Sequence, residues 1–316
     1  MSVNRGLDHN DMPSQSRGFV TIATGNPKYY HLAVNLLHSY RVNGDSSLPF
    51  AIICDKDCAE SQEFDNVVVI KHPNNSYMDK LSLYQYTPFE ETIFIDADSL
   101  ILGPVDNLWK DFEPMGDFCC YGKVLPLDSQ KGWFFYDGMG ELKEKLTFNI
   151  NMHGGIYYLR STDICRDIFE NAIVLADNYF KYKFAHFEKP ADEPVLALSM
   201  ALSNCKPCDR QGRILFLPSV DGKLHITKNS ILIYKRDICK VPVLHFSNIN
   251  TTRYLYKRLV LSVTNKYYDK NSKPNRKECF QLRVKCFVPE VKAVLRRVLK
   301  KLLPRKAIVF LKKFFR

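Results

Sequence analysis

Several features are missing from this sequence, and each absence excludes something. No stretch approaches the roughly 18 apolar residues of a membrane-spanning helix. The opening MSVNRGLDHNDMPSQSR has no apolar core of a secretory leader, so a cytoplasmic location is expected. There is no internal repeat and no low-complexity block, which argues against collagen, coiled-coil and disordered classes. Ten cysteines are present but only one Cys-x-x-Cys, Cys205 to Cys208, and no second pair completes a zinc site. Scattered cysteines without a leader read as reduced thiols.

The chain has 316 residues, 46% of them hydrophobic, enough for one large core with an appendage. Its net charge of +11 is unevenly placed. From Lys266 to Arg316 there are 17 lysines and arginines against three acids, Asp269, Glu278 and Glu290. That tail exceeds the net charge of the whole chain, so the rest is slightly acidic. The expected division is a loose arm over 1–17, a body over 18–262 and a basic tail over 263–316.

Within the body, apolar runs alternate with helical patterns. GFVTIAT (18–24) reads as a strand stopped by Gly25, Asn26 and Pro27. Leu32, Ala33, Leu36, Leu37 and Tyr40 then recur at helical spacing. PFAIICD (49–55) and NVVVIKH (66–72) read as strands, and MDKLSLYQYTPF (78–89) starts as a helix. ETIFIDADSLIL (91–102) is an apolar strand interrupted by two acids. INMHGGIYYLRS (150–161) reads as a loop feeding a strand. TDICRDIFENAIVLADNYF (162–180) reads as a helix with an apolar stripe of Ile164, Ile168, Ile173 and Leu175. DEPVLALSMALSN (192–204) is a second helix, and VPVLHFS (241–247) a last strand. This order predicts an α/β fold with a mainly parallel central sheet flanked by helices. Ligands in such folds sit beyond the carboxyl ends of the strands, where the loops at 24–29, 55–56 and 96–98 should meet.

Asp96 and Asp98 follow directly on Ile93, Phe94 and Ile95. A carboxylate at the end of a buried strand is costly unless something compensates it. A divalent cation compensates two at once, and Mn²⁺ or Mg²⁺ fills its remaining positions with phosphate oxygens and water. A diphosphate leaving group can then depart against bound charge.

At this point the sequence resembles the retaining glycosyltransferases of the glycogenin and lipopolysaccharide-galactosyltransferase type, from about Gly18 to Phe246. KLSLYQYTPFEETIFIDADSLIL followed by VDNLW carries most of the likeness. The resemblance implies the GT-A fold, a UDP-sugar donor, a glycan or glycolipid acceptor and a bound cation. It places Lys80, sixteen residues before Asp96, on the donor's phosphate or sugar. Thr24, Asn26 and Tyr29 stand where the family meets base and ribose, and Ala97 joins the donor-binding set. His245, in HFS, corresponds to the late histidine that completes the metal site with Asp96 and Asp98. INMHGGIYY stands in place of Asn-x-Gly, which puts His153 or Asn151 at the sugar-facing position and lets Gly154 and Gly155 admit a ligand closely. Asp192 and Glu193 replace Asp-Gln at a helix start, facing the donor sugar as catalytic candidates. Where the family continues with Gly and Lys-Pro-Trp, this chain has NINTTRYLYK.

In the tail, Val291, Val294, Leu295, Val298, Leu299, Leu302 and Leu303 line one helical face and Lys292, Arg296, Arg297, Lys300 and Lys301 the other. That pattern suits an interfacial helix on an anionic membrane surface. No nucleic-acid module accompanies the charge. Two other readings stay open. One is a non-catalytic membrane-associated scaffold; the other is a sugar-nucleotide pyrophosphorylase, although TGNPKYY lacks the Gly-rich loop that class uses.

Overall fold

A computed structural model describes residues 15–185, 188–209, 212–220, 223–227, 232–270, 274–287 and 291. The chain divides into two compact units, Met1–Leu215 with Lys240–His245, and Phe216–Cys239 with Phe246–Arg316.

The strands of the first unit are β1 (Gln15–Ala23), β2 (Phe50–Cys54), β3 (Asn66–Val69), β4 (Phe89–Ile95), β5 (Ser99–Ile101), β6 (Phe118–Leu125) and β7 (Asn149–Arg160). The main sheet runs β3-β2-β1-β4-β7-β6. Its first four strands are parallel, whereas β7 is antiparallel to both β4 and β6. The mainly parallel sheet is as expected. β1 begins at Gln15, inside the segment read as a loose arm, and Arg17 pairs there with Glu91 at 2.7 Å.

The helices are α1 (Pro27–Asn43), α2 (Leu83–Tyr86), α3 (Asp106–Phe112), α4 (Asp163–Asp177) and α5 (Asp192–Leu202). They cover both faces of the sheet, which is why β2 is buried along its whole length. On one face Phe19 of β1 meets Tyr40 of α1 and Trp109 of α3, with ring centres 5.1 and 5.4 Å apart. On the other, Phe94, Phe118 and Tyr157 pack into a core with Ile168, Phe169, Leu196 and Met200 of α4 and α5. Each such side chain contributes about 1.5–3 kcal/mol by leaving water.

Two sequence expectations change. Residues 150–153 are strand, not loop; β7 is continuous from Asn149 because its early residues pair with β6 (Ile150 with Val124, Met152 with Gly122). The stripe on α4 is also displaced. Ile164 and Ile173 are exposed, while Cys165, Ile168, Phe169, Ala172 and Leu175 face inward. Thr162 caps this helix by accepting from the Cys165 N–H, and that register points the small and aromatic residues at the sheet.

Beyond β4 the chain leaves the main sheet. A second sheet has the order β5, then Val243–His245, then Ile214–Phe216. β5 is short, and α1 holds its edge: Ser39 Oγ accepts the Ile101 N–H at 2.8 Å and Asn43 Nδ2 donates to the Ile101 carbonyl at 2.9 Å. Asp96, Ala97 and Asp98 are the crossing between the two sheets.

The second unit contains a three-stranded antiparallel sheet of Leu224–Ile226, Leu232–Tyr234 and Asp237–Ile238. It also contains the helix Tyr254–Tyr268, whose Tyr256 packs on Phe246 at 4.8 Å. Residues 276–287 are helical, with Phe280, Val284 and Phe287 exposed. The amphipathic tail segment expected from Val291 onward lies outside the described residues apart from Val291. Among the described residues no helix is long and apolar enough to cross a membrane.

Candidate active site

The sheet crossing fixes the first two acids. The Asp96 N–H donates to the Gly155 carbonyl at 3.0 Å and the Ser99 N–H to the Asp96 carbonyl at 3.0 Å, so a tight turn projects both carboxylates to one side. The third residue comes from far along the chain. His245 pairs with Ser99 across the second sheet, in antiparallel register. Its Nε2 lies 2.9 Å from Asp98 Oδ1 and 3.6 Å from Asp96 Oδ2.

Ligand atoms of Asp96, Asp98 and His245 all fall within 4.8 Å of one another. Asp98 Oδ1 is buried and makes no geometrically defined hydrogen bond, although His245 Nε2 lies 2.9 Å away. A buried carboxylate oxygen left without a partner is expensive. Two carboxylates and one imidazole, with an orphaned oxygen among them, fit a divalent cation such as Mn²⁺ or Mg²⁺. Burial works against ionisation of Asp98, but His245 outweighs it and holds the carboxyl below its usual range. Burial, with Asp98 alongside, pushes Asp96 upward despite the opposing pull of Lys80. For His245 burial is overcome by Asp98 and Asp96, which raise its proton affinity.

Lys80 sits behind this cluster. Its Nζ donates to Asp96 Oδ2 at 2.9 Å and to the Gly154 carbonyl at 3.0 Å, and it pairs with Asp192 Oδ2 at 3.2 Å. The first two are hydrogen bonds and the third is an ion pair. Burial would depress its pKa, but Asp192 and Asp96 more than reverse that, and Lys80 stays charged. In this arrangement the ammonium holds the Asp96 and Asp192 carboxylates together.

Asp192 and Glu193 open α5. Asp192 Oδ2 also accepts from the Tyr157 hydroxyl at 2.9 Å. Glu193 Oε1 accepts the Gly154 N–H at 2.6 Å. Burial first and Asp192 second raise the Glu193 pKa to about 7.

Other expected positions fall differently. A Cβ on Gly154 would come within 2.6 Å of Glu193 Cγ, and one on Gly155 within 2.6 Å of His245 Nδ1. These glycines leave room for the protein's own side chains. His153 lies on the far side of His245 from the acids, with Nε2 3.4 Å from His245 Nδ1. Burial first, then the charges of His245 and Lys80, lower its pKa to about 3. Asn151 is exposed and donates to the Lys131 carbonyl.

Asn26 spends its side-chain oxygen capping α1 through the Lys28 N–H at 2.9 Å. Tyr29 follows in the first turn, half-buried. Thr24 Oγ1 donates to Asp79 Oδ2 at 2.6 Å. Ala97 is buried between the two acids. Asp79 and Tyr157 were missed from the sequence. Asp79 immediately precedes Lys80 and also takes the Asn74 N–H at 2.6 Å, which ties the β1 loop to the Lys80 segment. That adjacency was the available clue.

Solved glycosyltransferases share this architecture. The galactosyltransferase LgtC, solved in complex with donor and acceptor sugar analogues, matches over 85% of this chain and 99% of its own, with a TM-score of 0.51 at 12% identity. A glutamine-to-glutamate active-site mutant of LgtC matches over 83% of this chain and 99% of its own, with a TM-score of 0.52 at 12% identity. The bifunctional glycosyltransferase WbbM matches over 84% of this chain and 51% of its own, with a TM-score of 0.50 at 10% identity. The fold is that of these transferases. No protein-family model and no curated protein matches the sequence.

Proposed function

We propose that the protein is a metal-dependent glycosyltransferase that moves a hexose from a UDP-sugar to a glycan or glycolipid acceptor, with retention of configuration. The observation that carries this reading is the convergence of Asp96, Asp98 and His245 at the end of β4, in a fold shared with glycosyltransferases.

Asp96, Asp98 and His245 would hold Mn²⁺ or Mg²⁺, which would supply positive charge to a departing diphosphate. Lys80 keeps Asp96 and Asp192 in fixed positions and supplies a further positive charge to that side of the site. Asp192 is oriented from two directions, by Tyr157 and Lys80. Glu193 has one oxygen committed to the Gly154 N–H, and its other oxygen is the group offered to positive charge developing on the sugar ring. With a proton affinity near neutrality, it can carry either charge state during the reaction.

A membrane-facing acceptor is supported by the basic, amphipathic tail and by the exposed Phe280, Val284 and Phe287 on the helical residues leading into it. Such an enzyme would work at the cytoplasmic face, where nucleotide-sugars are available.

The test is UDP release from a panel of UDP-sugars with and without Mn²⁺, for the wild-type protein and Asp98→Asn. Metal-dependent turnover of one donor, lost in the variant, is expected. If no donor turns over and UDP does not bind, the transferase reading fails.

A further inference from the structure

Between β3 and α2 the chain carries two adjacent buried charges of opposite sign. Asp79 and Lys80 are 1% and 8% exposed and lie in the short 3₁₀ helix Tyr77–Ser82. Successive side chains of such a helix point about 120° apart, so sequence neighbours reach different parts of the fold. Lys80 reaches Asp96. Asp79 turns instead to the loop that leaves β1. Its Oδ2 accepts from the Thr24 hydroxyl at 2.6 Å, and its Oδ1 accepts the Asn74 N–H at 2.6 Å. The helix start is itself pinned: the Asp79 N–H donates to the Ser76 carbonyl at 3.0 Å, and the Met78 N–H to the Ser76 hydroxyl at 3.2 Å.

A second contact joins the same two stretches. Gly25 has a φ of +74°, and a Cβ there would lie 3.0 Å from the Asn75 side chain. The β1 loop is thus packed on residues 74–75 and bonded to Asp79.

The sheet topology gives this link a meaning. β1, β2 and β4 are parallel, with β1 between the other two. Their carboxyl ends share one edge of the sheet, and Asp96 and Asp98 follow β4 at that edge. β7, on the other side of β4, is antiparallel, so its carboxyl end lies at the opposite edge. The β1 and β2 loops are therefore the carboxyl-end loops beside the acids, where the nucleoside of a bound diphosphate would lie.

We propose that Asp79 is a positioning residue for the nucleotide donor. By bridging Thr24 to the helix that carries Lys80, it holds the β1 loop at the distance from Asp96 that a nucleoside diphosphate spans. Asp79 acts through Thr24 and not on the donor itself. The inference rests on the transferase reading above.

The test is UDP binding to the full chain in the presence of Mn²⁺, followed by titration calorimetry. Asp79→Ala loses both hydrogen bonds and should bind UDP about tenfold more weakly. Asp79→Asn should stay within about threefold of the wild type, because its amide oxygen can take the Asn74 N–H while its NH₂ donates to the Thr24 hydroxyl. Thr24→Val cuts only the loop side of the bridge and should weaken UDP binding about as much as Asp79→Ala. Combining the two should cost nothing further, since both remove one link. With a UDP-sugar that turns over, the loss should appear in KM, with kcat within about twofold of the wild type.

Unchanged UDP affinity in folded Asp79→Ala or Thr24→Val would overturn the proposal and leave the transferase reading standing. Additive losses in the double variant would also overturn it, because Thr24 would then meet the donor independently of Asp79. A loss in Asp79→Asn as large as in Asp79→Ala would show that the charge matters and the bridge does not. If Asp79→Ala does not fold, Thr24→Val and Asp79→Asn decide. A wild-type protein that binds no UDP ends the transferase reading, and this inference with it.

Discussion

Asp96 belongs to two clusters, and they are built on different terms. Around Lys80 the ammonium donates to Asp96 and the Gly154 carbonyl and pairs with Asp192 at 3.2 Å. Around Asp98 and His245 the atoms are just as close, yet Asp98 Oδ1 has no hydrogen-bond partner. The first cluster is complete as folded and contributes rigidity. The second keeps a buried charge waiting, which is a cost a fold carries only where a ligand will offset it. Saturation, not distance, separates a structural ion pair from a binding site.

Breaking the complete cluster should produce the largest effect. Lys80→Met strands two buried carboxylates and should cost about 3–5 kcal/mol of stability, read from denaturant unfolding. An unchanged unfolding midpoint would mean that the ammonium is not holding them. Asp98→Asn should leave the unfolding midpoint nearly unchanged and lower turnover by about 100-fold or more, since a Lewis-acid cation contributes several kcal/mol. Excess chelator on the wild-type protein should reproduce that loss, and added Mn²⁺ should reverse it. Gly155→Ala tests the space behind His245. Overpacking should cost about 1–3 kcal/mol and displace the imidazole, so Mn²⁺ affinity should fall with it. Tyr157→Phe removes one hydrogen bond to Asp192 and should cost about 1 kcal/mol, leaving Mn²⁺ affinity unaltered.

The smallest effect concerns pH. Glu193 has a folded-state pKa of about 7 against the ordinary value of 4.5, so the folded chain holds a proton that the unfolded chain releases in between. Stability should therefore fall as pH rises from about 4.5 to about 7 and level off above. Glu193→Gln should flatten that slope. A slope of opposite sign that the substitution leaves unchanged would place its origin elsewhere.

The two clusters were also unequally legible. Asp96 and Asp98 stand out because three apolar residues precede them, and a buried strand ending on acids has few explanations. Lys80 and His245 came from the resemblance; in the structure both lie beside Asp96. What spacing could not supply is which atom fills the space above a glycine. Gly154 and Gly155 looked like room for a ligand; Glu193 and His245 occupy it. The resemblance offered His153 or Asn151 for the sugar-facing position, and sequence order could not show that His153 packs beside His245. Residues 150–153 were read as loop, yet pairing with β6 satisfies their backbone whatever their side chains. On α4, Ile164 and Ile173 drew the eye because isoleucine is usually buried, and the register set by Thr162 turned them outward.

The pairing of His245 with Ser99 has a consequence in time. The two acids leave the ribosome almost 150 residues before the histidine that completes their site, and domains fold as synthesis proceeds. Through that interval a nascent chain can assemble the sheet and seat Lys80 against Asp96, but the candidate cation cluster has only two of its three members. On the proposed reading, cation capture would wait for His245, and a product truncated before Val243 would lack that third ligand.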